Sequence, residues 1–463
     1  MNRRLILLTT SIASFITPFT STVITFAVPG IGSEFSASFN LVTLVPVSFL
    51  ISLTSLMITL GRLSDIYGRP TFLRLGFLLF IISSILIYIS QNIYQLIFFI
   101  FIGGVGGALL GTNSTAIITH VYDKNRGGAL GINAMSVYLG LTLAPFLGGI
   151  IIQLYGWRSI FLFNILIATS AFIISMFTLK EIEDVRGSNP DFSGMFLFSG
   201  SLLSITSFLT TFEIFGLFKT LPLIFFGILL FMIFIMVERR KDHPLIDINI
   251  FRNNRTFTFS NISAFLNYLS TFSIVFIFSI YLQIVLGIGP FYSGIILSIE
   301  PILMVAISPL SGRLSDFYGS REIAAIGTCI IGVGFILLYA LDLSNVWNII
   351  ISLAVIGIGF GLFTAPNTNS VMGSAGKKEL SLASGILGTM RFTGQILSIV
   401  LSSFIISSAL PRSALYLMFT GYMKGIGFIN SAEYVSAIKT AVIISAVLSF
   451  LASFTSLMKS RGE

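Results

Sequence analysis

The 463-residue chain is 55% hydrophobic and 10% charged, with a mean hydropathy of +0.98, more apolar surface than a soluble domain can hide. Its one cysteine, Cys329, excludes an intramolecular disulfide, and its two histidines, His120 and His243, are too few and too far apart for a metal centre. The net charge of +8 would suit a nucleic-acid binder, but the placement of the basic residues argues for a lipid bilayer as the surroundings instead.

Arg3 and Arg4 precede an apolar run from Leu5. No small-residue cleavage site follows cleanly and the next apolar stretch comes at once, so this run reads as an uncleaved first span. Apolar stretches of spanning length then follow in order: 5–29, 41–60, 72–90, 96–121, 129–153, 159–178, 192–212, 220–237, 257–286, 292–311, 323–341, 346–370, 382–408 and 437–458. These fourteen spans read as helices, since lipid leaves only helices or closed barrels and no alternating ten-residue pattern occurs. With the N-terminus in the cytoplasm, twenty of the 26 basic residues fall on the cytoplasmic side. Five (Arg158, Lys219, Arg412, Lys424 and Lys439) fall outside, and Arg391 falls within a span. That bias predicts a multi-pass protein with both termini cytoplasmic.

A repeat organises the spans. Gly61-Arg-Leu-Ser-Asp65-Ile-Tyr-Gly68-Arg69 joins spans 2 and 3, and 251 residues later Gly312-Arg313-Leu-Ser-Asp316-Phe-Tyr-Gly-Ser-Arg321 joins spans 10 and 11. Ala129, Gly131 and Gly140 of span 5 likewise recur 254 residues on, as Ala383, Gly385 and Gly394. A duplicated membrane half is the plan of a secondary transporter, in which two halves rock about a central site. The expected division is a six-helix half over 1–180, a two-helix insertion with flanking cytoplasmic loops over 181–256, and a six-helix half over 257–463. The stretch 409–436 is long and mixed, and an interfacial helix would suit it.

Within this frame a few residues carry chemistry. If the turn after span 2 stays helical, Arg62, Asp65 and Arg69 share a face and can pair, while Gly61 and Gly68 permit the tight return of the chain. Gly103, Gly107 and Gly111 in span 4 read as a packing stripe; a phosphate-cradling loop would want a lysine after it and a strand before it. Pro366-Asn367-Thr-Asn369 in span 12 either lines a cavity or satisfies a proline-broken backbone. Tyr138, Asn267 and Gln283 are further polar candidates for a cavity wall. Glu300, before Pro301, sits about nine residues into span 10, roughly 13 Å deep at ~1.5 Å per residue. Arg391 lies near the middle of span 13. Each should face a cavity or a partner, because an intramembrane charge costs at least ~2.5 kcal/mol. Glu300 is therefore a candidate proton carrier, with a static Glu300–Arg391 ion pair as the alternative. No acid/base pair, nucleophile triad or metal cluster stands out, so neither an enzyme nor a cofactor is expected.

The paired loop strings resemble the cytoplasmic-loop motif of the major facilitator superfamily, and fourteen spans resemble its drug:proton antiporter branch. Gly140-Leu-Thr-Leu-Ala-Pro145-Phe-Leu-Gly148-Gly149 is similar to that branch's antiporter motif, with Ala144 where glycine is usual. Gly156-Trp157-Arg158 through Asn164, and Ala383 through Arg391 and Gly394, are similar to its span 6 and span 13 segments. The resemblance implies an all-α major facilitator fold in the plasma membrane, a monomer that exports amphipathic small molecules by alternating access with the proton as coupling ion. It implies that Asp65 latches onto the other half near the start of span 13, with Arg313 and Asp316 as a weaker copy. It also implies that Gly140, Pro145, Gly148 and Gly149 seal the pathway against leak. Two positions depart from it: Thr20 replaces the usual span 1 aspartate, and Ile100 the usual span 4 arginine. That moves the expected coupling site to the second half. Export of a physiological metabolite, peptide or lipid, or a transport-inactive sensor, are the competing expectations.

Overall fold

The computed structural model describes residues 3–122, 126–179, 191–241, 249–375, 380–410 and 431–460. Fourteen of its helices are long and apolar enough to cross a membrane. They are α1 (Arg3–Phe26), α2 (Phe39–Tyr67), α3 (Arg69–Tyr88), α4 (Ile93–Val121), α5 (Arg126–Tyr155), α6 (Ser159–Thr178), α7 (Phe192–Phe215), α8 (Leu217–Glu238), α9 (Arg255–Thr271 and its continuation to Val285), α10 (Pro290–Tyr318), α11 (Ser320–Ala340), α12 (Val346–Ser374), α13 (Leu380–Ala409) and α14 (Ser431–Leu457). The long loops expected around 180–191 and 409–436 fall largely outside the described residues, as do residues 242–248 of the loop expected around 238–255, in which a short helix, Asn249–Asn253, is described.

Several helices overrun their apolar stretches. α2 and α10 continue to Tyr67 and Tyr318, so both loop strings are helical up to their last glycine. The chain reverses at Gly68 and Gly319 alone, with φ of 108° and 91° that only glycine adopts cheaply. Gly61 does not serve that return, contrary to expectation: it lies inside α2, where a Cβ would stand 3.4 Å from Thr112 of α4. Span 1 ends at Phe26, and Pro29 opens a separate short helix, Val28–Phe35. Span 9 is also not one regular helix. It breaks at Phe272, resumes as Ser273–Ile280 and ends in a π-helical turn, Tyr281–Val285. No proline causes this. The Ser273 N–H is drawn to the Ser398 hydroxyl of α13 at 2.9 Å, and Ser270 and Thr271 both donate to the Asn267 carbonyl.

The helices pack as two compact units. The first comprises Met1–Ser21, Leu44–Leu141 and Arg158–Ile248; the second comprises Thr22–Thr43, Thr142–Trp157 and Asn249–Glu463. The 181–256 insertion therefore belongs mostly with the first unit, where Thr59 of α2 and Ser199 of α7 share a hydrogen bond at 2.8 Å. The far ends of α1, α2 and α5 belong with the second. In the first unit the expected α4 stripe holds in part: a Cβ at Gly103 would lie 2.6 Å from the Ser83 hydroxyl and one at Gly107 3.2 Å from the Phe49 ring, whereas Gly111 meets only Met57 at 3.9 Å, and Gly106, outside that stripe, faces the Gly76 carbonyl of α3 at 3.0 Å.

Candidate functional site

At the end of α2, Asp65 and Arg69 form an ion pair at 2.7 Å, and Arg69 also donates to the Ala116 carbonyl of α4 at 3.3 Å. The turn does not stay helical, since the chain reverses at Gly68, so Asp65 and Arg69 pair across the α2–α3 turn rather than along one helical face, and Arg69 ties that turn to α4. Arg62 is itself engaged in an interaction. The second copy differs. Arg313 is exposed, the Asp316 side chain lies outside the described residues, and Arg321 is 3.9 Å from Glu322 instead. At the start of span 13, where the latch is expected to land, the side chains of residues 376–382 lie outside the described residues.

The span 5 motif contains the tightest helix approaches of this region. Gly140 faces α1, where a Cβ would lie 2.5 Å from the Phe15 carbonyl, and Gly148 faces Val23 of the same helix. Gly149 faces the other way, onto α10: its Cβ would meet the Pro290 carbonyl at 2.7 Å, the Phe291 Cα at 3.3 Å and the Gly294 Cα at 3.4 Å. A Cβ on Gly294 would in turn collide with the Pro145 carbonyl. Two helices from different sequence halves therefore cross backbone to backbone inside the second unit. Side chains reinforce the crossing. Gln153 accepts from the Phe291 N–H at 3.0 Å, and the Thr142 hydroxyl donates to the Pro301 carbonyl at 3.2 Å. Near the same end Trp157 donates to Glu34 at 2.6 Å, and Thr43 bonds Ser403 of α13 at 3.2 Å.

Glu300 lies on α10 beside this crossing and against α12. Gly357 faces its backbone so closely that a Cβ there would overlap the Glu300 carbonyl. The Glu300 carboxylate has no hydrogen-bond or ion-pair partner among the described residues and is partly exposed. No ion pair joins it to Arg391. Arg391 donates from Nη2 to the Thr368 hydroxyl of α12 at 2.7 Å, and its guanidinium carbon stands 5.7 Å from the centre of the Tyr268 ring of α9. The Arg391 Nε is buried without a partner.

The polar candidates separate. Asn367 is fully buried: it donates to the Ser260 carbonyl of α9 at 3.1 Å and accepts from Lys459 Nζ at 2.8 Å. It ties helices together rather than lining a cavity, whereas Asn369 is exposed. Asn267 is fully buried with both amide atoms unpartnered, and Gln283 leaves Nε2 buried and unpartnered. Tyr138 is half-buried and engaged in an interaction. Lys459, one of the basic residues that set the topology, is only 2% exposed, and burial pushes its ammonium down to about 7. No sequence feature marks this, since a lysine just past a span normally reaches water.

The first half is closed where relatives would carry charge. Thr20 is buried and accepts from Asn164 Nδ2 at 3.1 Å, and Ile100 is fully buried. At another level Ser14 donates to Asn133 Oδ1 at 2.6 Å and bonds Ser114 at 2.8 Å, so polar contacts join α1, α4 and α5. In the inserted pair, burial would raise the Asp191 carboxyl, but Lys241, the Gly194 N–H and Ser193 hold it at about 2.

The family model described as Major Facilitator Superfamily matches residues 10–247 and 261–452. Over 418 residues the chain is 27% identical to the riboflavin transporter RibZ of Clostridioides difficile, covering 89% of each protein. It is 28% identical over 373 residues to the quinolone resistance protein NorB of Staphylococcus aureus, covering 77% of this chain and 79% of that one. Among solved structures, a bacterial homologue of the human lysosomal transporter Spinster, in an inward-facing and unoccupied conformation, matches with a TM-score of 0.69 at 16% identity. That match covers 100% of this chain and 98% of the other.

Proposed function

The chain belongs to the Major Facilitator Superfamily, and we propose that it is a secondary transporter that exports amphipathic small molecules in exchange for protons. The observation that carries this reading is the state of its two deep charges. Glu300 and Arg391 lie within spans of one unit, yet neither neutralises the other. A charge kept inside a membrane without a fixed partner is costly, and exchange with a proton or a substrate gives it a use. Glu300 is the proposed proton carrier. It sits next to Pro301, whose carbonyl is held by Thr142 of α5, so a change at the carboxylate is mechanically close to the α5–α10 crossing. With both termini in the cytoplasm of a cell bounded by this membrane, that crossing lies at the outer end. Its close backbone contact is the proposed seal, and the Asp65–Arg69 clamp the proposed latch at the inner end.

The test is efflux of fluorescent amphipathic dyes from liposomes containing the monomeric protein, with an imposed pH gradient. Gradient-driven flux that Glu300→Gln abolishes, at unchanged folding, is the expected result. Flux that persists undiminished in Glu300→Gln removes Glu300 as the carrier. A second reading, export of a physiological metabolite, is favoured by the likeness to a riboflavin transporter. Competition by riboflavin for dye efflux distinguishes the two.

A further inference from the structure

Resting on the export reading, we propose that Arg391 is the docking point for an anionic group, so that the preferred substrates are amphipathic molecules that carry a carboxylate or similar anion. The geometry around Arg391 is built rather than incidental. Gly394, one turn along α13 on the same face, lets α9 come close: a Cβ there would lie 2.6 Å from the Phe265 carbonyl and 3.1 Å from the Tyr268 Cβ. That approach sets the Tyr268 ring beneath the guanidinium. Phe360 of α12 meets Tyr268 edge-on, with ring centres 5.4 Å apart and planes at 87°, and so holds the ring in its orientation. Thr368 of the same helix takes one N–H of the guanidinium. Three helices thus fix the plane of the group.

What they leave unused points to the ligand. A guanidinium has five N–H donors in a fixed fork, and Thr368 is its only hydrogen-bond acceptor among the described residues. No carboxylate among the described residues pairs with it. The side chain is only half-buried, eight residues into the span Ala383–Ala409. A planar, oriented cation with spare donors matches a carboxylate through two parallel hydrogen bonds. A lipophilic cation, by contrast, would be repelled here.

The experiment uses the full chain in liposomes and measures equilibrium exchange, with no gradient imposed, of two probes: fluorescein, a planar aromatic carboxylate, and the cation tetraphenylphosphonium. Wild-type protein is expected to exchange fluorescein in preference to the cation. Arg391→Gln should raise the half-saturating fluorescein concentration by about tenfold or more, the loss expected of a charge-assisted hydrogen bond, while Arg391→Lys retains part of the affinity. Thr368→Val, which leaves the charge but frees its plane, should give a smaller rise. Exchange of the cation but not fluorescein by wild type overturns the inference while leaving export intact. Exchange of neither probe by folded protein overturns the inference and the export reading together. Undiminished fluorescein affinity in Arg391→Gln, with proton coupling lost, makes Arg391 a partner of Glu300 and also overturns it. Wild-type probe preference needs no variant, so a misfolded substitution does not shield the proposal.

Discussion

At the scale of single residues, Lys459 shows how far burial can remove a side chain from its usual behaviour. Its ammonium reaches from the end of α14 to Asn367, with no acid beside it among the described residues. Below about 7 both folded and unfolded chains carry the proton, and the folded protein bears the whole cost of the buried charge. Between about 7 and the usual 10.5 the folded protein has released the proton and the unfolded chain has not, so stability rises with pH. Above that window both are neutral and the cost is gone. Melting of the detergent-solubilised protein should therefore shift upward on alkalinisation, and Lys459→Met should flatten that dependence. Parallel curves for the two proteins would show that Lys459 is not the titrating group. Nothing in the sequence distinguishes this lysine from the other basic residues that flank spans. Its partner lies 92 positions earlier, and only the fold brings the two together, with α12 and α14 each packed against α9.

At the scale of elements, the α5–α10 crossing depends on glycines that face backbone. A backbone cannot move aside as a flexible side chain can, so Gly149→Val should force the helices apart. Overpacking of this kind costs roughly 1–3 kcal/mol. If the crossing is the outer seal, the variant should also pass protons in the absence of substrate, measured with a pH dye inside the liposomes. Gly131→Val, on the same helix at an exposed position where a Cβ meets nothing within 4 Å, is the matched control. Equal proton leak in both variants would leave Gly149 a packing residue only. The elements themselves were legible in the sequence, because lipid converts each long apolar run into a helix. The glycine and proline string of α5 was legible too, as a pattern. Its partner was not, since Gly294 lies in a stretch with no matching motif and the pairing exists only in three dimensions. The break in α9 was equally hidden. Ser270, Thr271 and Ser273 weaken the helix locally, but the bond that draws the Ser273 N–H away comes from Ser398 on α13, which local sequence does not show.

At the scale of the whole molecule, the proposed orientation rests on the asymmetry of basic residues, and the structure shows what engages two that stand against it. Arg158 donates to the Tyr88 carbonyl at 2.9 Å and the Ser90 carbonyl at 2.8 Å, covering the open end of α3, where helix carbonyls lack partners. Lys439 sits over the Tyr339 ring at 5.8 Å. Each basic group thus has an interaction on the side where the proposed orientation places it. The orientation can be read directly. In a Cys329→Ser background, Gln91→Cys at the exposed α3–α4 turn should react with a membrane-impermeant maleimide added to intact cells. Ser460→Cys, exposed just beyond α14, should react only after the membrane is opened. The reverse pattern would turn the protein over. The Gly149–Gly294 crossing would then face the cytoplasm, and the Asp65–Arg69 clamp the outside. Import would become the natural direction of the same rocking cycle, so this labelling experiment bears on export as directly as any flux measurement.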